Sequence, residues 1–124
     1  MAQKLTADQV RRIEEIETHI KTVDRIKHFI AELDSNRAGS SKVLQGICET
    51  IAKEASHLRQ RCLTSNIGTI ADVAGGMSVM AARGGGINVK IRALNDGANS
   101  LSMQLDHALK VASAPEKEQR DTQG

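Results

Sequence analysis

Aromatic residues are almost absent from this sequence: Phe29 is the single phenylalanine in 124 residues, and there is no tryptophan or tyrosine. The chain therefore lacks the rings on which single-stranded nucleic acids are usually stacked. It also lacks the aromatic and β-branched content of an all-β fold. Proline occurs once, at Pro115. Charge of one sign is missing as well: 17 Lys and Arg stand against 15 Asp and Glu, a formal net charge of +2. With 26 % charged and 40 % hydrophobic residues, the chain is not of the wholly disordered class. No apolar run interrupts Lys4 to Lys27, so no secretory signal peptide is expected. The length fits one domain.

Cysteine is nearly as scarce, with only Cys48 and Cys62. The helical pattern below puts them on one helix, separated by roughly 21 Å along its axis. A disulfide needs Cα atoms within about 7 Å, so these two cannot pair within that helix. Both read as small buried apolar side chains. Free thiols point to a reducing compartment, and the expected location is cytoplasmic.

What is present is helical periodicity. Thr6-Ala7-Asp8-Gln9 is a capping box, in which Thr and Gln satisfy each other's orphan amides. Val10, Ile13, Ile16, Ile20, Val23, Ile26, Ile30 and Leu33 then mark one face of a long helix. Residues 35–41, Ser-Asn-Arg-Ala-Gly-Ser-Ser, form a turn. Leu44, Cys48, Ile51, Ala55, Leu58 and Cys62 make a second seam, and Leu63, Ile67, Ile70, Ala74, Met77 and Ala81 a third. The glycines after Arg83 stop that pattern. Ile87, Ile91, Leu94, Ala98, Leu101, Leu105, Ala108 and Ala112 complete an unbroken heptad seam.

These patterns predict an all-α, up-and-down antiparallel bundle of four helices. The expected helices are about 6–36, 41–63, 65–82 and 87–113 within a single domain, 1–113, followed by a disordered polar tail, 114–124. An alternative runs through Thr64-Ser65-Asn66 without a break. It makes 41–82 one helix of about 63 Å, too long for its neighbours to cover, and favours a dimer.

No catalytic, cofactor-binding or metal-binding residues are expected. A di-metal carboxylate site needs two Glu-x-x-His copies, and only Glu54–His57 matches. Cys48 and His57 fall on different faces of their helix, with no third orienting group. The triple glycine 84–86 follows no strand and no Lys-Ser/Thr follows it, so it is a turn and not a phosphate loop. His107, with Lys110 close behind, suits the negative end of a helix.

The stretch from Cys62 to Ala82 holds one charge, Asp72, but its Thr, Ser and Asn residues are too polar for a stable membrane span. Its small residues Ala71, Gly75, Ser78 and Ala82 form a flank that permits a close helix contact, within the chain or with a second copy. Residues 59–92 carry five basic side chains, of which Arg83, Lys90 and Arg92 gather near the glycine turn and could bind an anion. The expected function is that of a non-enzymatic bundle acting through protein–protein contacts, as adaptor or self-assembling subunit, whose partner is another protein or itself. The alternative is nucleic-acid or anionic-partner binding through residues 83–92, testable by its salt dependence.

Overall fold

The computed structural model describes residues 4–83 and 85–114. Four α-helices, and no strand among the described residues, make up the fold: α1 (Ala7–Ser35), α2 (Ser41–Cys62), α3 (Ile70–Ala82) and α4 (Ile87–Ser113). Thr6 caps α1 through the predicted box, its side chain accepting from the Gln9 amide while Gln9 accepts from the Thr6 amide. Ser40 caps α2 by accepting from the Val43 amide at 3.3 Å. The predicted polar tail lies outside the described residues, apart from Ala114, which caps the C-terminus of α4.

The helices pack in a square. α1 touches α2 and α4, α3 touches α2 and α4, and the diagonal pairs do not meet. Long-range contacts set each neighbour antiparallel. Gln9 at the start of α1 donates to the Ala114 carbonyl at the end of α4, and Arg37 after α1 reaches Asn88 at the start of α4. Arg25 pairs with Glu54 across α1 and α2. This is the four-helix version of the expected fold, and the continuous 41–82 helix is not formed.

The boundary of the third helix needs a correction. It starts at Ile70, not at residue 65, and the break spans residues 63–69. Asn66 has φ 52° and Gly68 φ 48°, a left-handed backbone that no right-handed helix accommodates. Leu63, expected on the apolar stripe, is instead 51 % exposed. α3 is consequently 13 residues long, against 29 for α1 and 27 for α4.

The core is aliphatic. Ile16, Ile26, Ile30, Leu33, Ile51, Leu58, Ile70, Leu94, Leu101 and Leu105 are fully buried. The expected seams supply all of them, while Val10 at the start of the first seam is exposed. Phe29 sits at the edge of the core, its ring edge-on to His28. Small residues bring the helices together. The Ser78 hydroxyl donates to the Ala52 carbonyl at 2.9 Å, tying α3 to α2. Gly97 on α4 leaves room for Met77 of α3: a β-carbon there would lie 2.7 Å from the Met77 Cγ.

Candidate interaction groove

Because α3 is short, the long pair outruns the short pair. Gln104 of α4 accepts from the Thr69 amide at 2.8 Å, so α3 begins level with Gln104. α4 continues to Ser113, roughly 13 Å further. On α1, Arg12 donates to the Ser65 carbonyl at 2.7 Å, leaving the first turn beyond the α2–α3 connection. The projecting ends of α1 and α4 and that connection enclose a groove of about 700 Å³.

Its walls differ. α4 contributes Met103, Ala108, Val111 and Ala112, joined by Ile67 from the connection, and this side is apolar. α1 contributes Asp8, Gln9 and Arg12, so its core-facing positions turn polar where they face the groove. Gln104 and His107 stand between the two. Met103 is 73 % exposed and Val111 51 %. Such an apolar surface with a polar rim is the form protein-contact sites take.

The connection at the groove's head is held by a polar network that the seams did not reveal. Ser65 donates its hydroxyl to Glu15 at 2.5 Å and lies 3.4 Å from His19 Nε2. Arg12 lies 3.5 Å from the same Glu15 oxygen. His19 and Ser65 are both buried. Burial pushes the His19 pKa down, while the neighbouring Glu15 carboxylate pulls it back up and Arg61 and Arg12 lower it further. Its Nδ1 is buried without a hydrogen-bond partner. Serine, histidine and glutamate thus meet, but not as a relay: both partners crowd Nε2, and a relay needs its carboxylate on the other ring nitrogen. The neighbouring Cys62 thiol is pushed up to about 11 by burial, assisted by Glu15, which makes it a poor nucleophile.

The residues singled out by sequence fall in several places. Gly75 faces Arg59 of α2, whose Cδ would lie 3.0 Å from a β-carbon there. With Ser78 bonded to Ala52, the flank of Ala71, Gly75, Ser78 and Ala82 is engaged at two points inside the chain. Ala71 is half-buried and Ala82 exposed. Of the three cations, Lys90 donates to the carbonyls of Ala81 and Arg83, completing the end of α3. Arg83 stands beside it, lining one cavity with Cys48 and Ala81. Arg92 lines a different cavity with Arg37 and the acids Asp34 and Asp96. The three therefore do not share one anion-binding surface. Glu54 is paired with Arg25 at 3.2 Å, and His57 is exposed. Among the described residues no group of three or more His, Cys, Asp or Glu side chains converges, and no helix is long and apolar enough to cross a membrane.

Sequence reasoning missed Gln104, His19 and Gly97. A signal existed for His19, which lies three residues after Ile16 and four before Val23, on the seam itself. Gln104 carried none, since its partner Thr69 is 35 residues away. No family model matches the chain, and neither a curated protein nor a solved structure is significantly similar to it.

Proposed function

We propose that this protein is a non-enzymatic helical bundle that works through protein–protein contact, using the groove between the projecting ends of α1 and α4. One observation carries the reading. Met103 is 73 % exposed on the apolar wall of the groove, at the end of the bundle where, among the described residues, two helices run on without their neighbours. An exposed methionine is suited to such a surface, because its unbranched, polarizable side chain adapts to the partner. The buried polar network favours the same reading, since it fastens the connection and offers no activated nucleophile. The unpaired cysteines are in keeping with a cytoplasmic setting. Anion binding by Arg83, Lys90 and Arg92 has less support, because Lys90 is occupied by two carbonyl groups.

The test compares two exposed apolar positions on α4: Met103 at the groove and Val89, 68 % exposed at the other end. Wild type, Met103→Glu and Val89→Glu are each used for affinity capture from the cells that make the protein. The reading expects a captured protein, this chain or another, to be lost with Met103→Glu and kept with Val89→Glu. Equal capture by all three, or none by the wild type, overturns it.

A further inference from the structure

We infer that the occupant of the groove is a second copy of this chain, with the α4 ends crossing antiparallel at His107. The inference rests on the protein-contact reading above and names its partner. Met103, His107 and Val111 follow one another at steps of four along α4, making a ridge of the kind that packs into a neighbouring helix. Ala108 and Ala112 lie beside that ridge in the groove wall, and their small side chains let a second backbone come close. The ridge is its own complement. A two-fold axis through His107 sets Met103 of each copy against Val111 of the other, the reciprocity that an isologous interface requires.

Charge favours the same partner. Asp106 and Lys110 are exposed and flank the ridge on one side, four residues apart. The two-fold keeps that side together, so each Asp106 meets the Lys110 of the other copy, twice over. The α1 rim likewise holds both signs, Asp8 and Arg12, and neither sign dominates to repel a like surface. Residues 115–124 contain no valine, leucine, isoleucine, methionine or aromatic side chain. In the paired state four projecting ends, an α1 and an α4 from each copy, complete a second bundle where each chain alone has only half of one.

Light scattering on the full chain across a concentration range is the first measurement, and a dimer is expected. Met103→Glu raises its dissociation constant at least about tenfold. Asp106→Lys weakens it, and adding Lys110→Asp to that variant restores it. His107→Cys gives a disulfide-linked dimer on mild oxidation with oxidised glutathione, whereas Gln60→Cys, exposed on α2, does not. All variants keep the wild-type helical circular dichroism, because the altered side chains are exposed in the single chain. A chain that stays monomeric to millimolar concentration, with no disulfide at position 107, overturns the inference. So does a dimer that ignores Met103→Glu and the charge swap, which places the contact elsewhere. If the chain is monomeric while Met103→Glu still strips a different captured protein, the second copy is wrong and the protein-contact reading stands.

Discussion

The two halves of α4 carry the same seam but meet different surroundings. From Ile91 to Leu101 the helix is flanked by both α1 and α3, and Ile91, Leu94, Ala98 and Leu101 are buried. Beyond Gln104, where α3 has not yet begun, the seam continues with Leu105, Ala108 and Ala112, of which only Leu105 is buried. One heptad pattern thus yields a core in one half and an apolar wall in the other. Burial here is decided by the length of the neighbour, and that length by seven residues of backbone between α2 and α3.

The sharpest way to break this comparison is to substitute one seam residue in each half. Leu101→Ala removes a fully buried side chain and should cost about 2–5 kcal/mol, a large part of the stability of a small domain. Ala112→Ser at the open end should stay within about 0.5 kcal/mol. Urea unfolding followed by circular dichroism measures both, and similar values would erase the distinction between the halves.

Next in size is the pair of glycines. Gly97→Ala forces Met77 away from a β-carbon site 2.7 Å from its Cγ, and should destabilise by about 1–3 kcal/mol despite alanine's better helix propensity. Gly76→Ala on α3 meets open space, so propensity alone acts and the protein gains up to about 1 kcal/mol. Melting temperatures that move in the same direction for both variants would contradict the close α3–α4 contact.

The smallest effect concerns the connection itself. Burial lowers the folded-state pKa of His19 below its ordinary 6.5. The unfolded chain therefore takes up the proton first as pH falls. Stability is unaffected by His19 above that value and declines as pH drops through it, until the folded-state pKa is reached. His19→Gln should flatten this part of the stability–pH curve relative to wild type. An unchanged slope between neutral pH and pH about 5 would remove His19 as its source.

The contrast also explains what the sequence made legible. Every seam is local, repeating within a turn or two, so the helices and most of the core were readable from spacing. The capping box at Thr6 and Gln9 was readable for the same reason. Thr64-Ser65-Asn66 marked the break, but its extent depends on left-handed backbone at Asn66 and Gly68 and on the grip of the distant Gln104. A shift of five residues in the start of α3 is small in sequence, yet it opens the groove. The basic cluster is divided between separate cavities for a local reason. Lys90 and Arg92 are two residues apart on a helix and so face different sides. Within the chain the Ser78 hydroxyl donates to the Ala52 carbonyl, so that point of the small-residue flank is used between α3 and α2.

The central claim is that the open end of the bundle is a contact surface while equal exposure elsewhere is not. A photo-reactive amino acid placed at position 103 and, separately, at position 89 tests it inside the cell that makes the protein. The account predicts a discrete protein adduct from position 103, suppressed by the Val111→Asp change, and none from position 89. No adduct at position 103, or the same adducts from both positions, would contradict it.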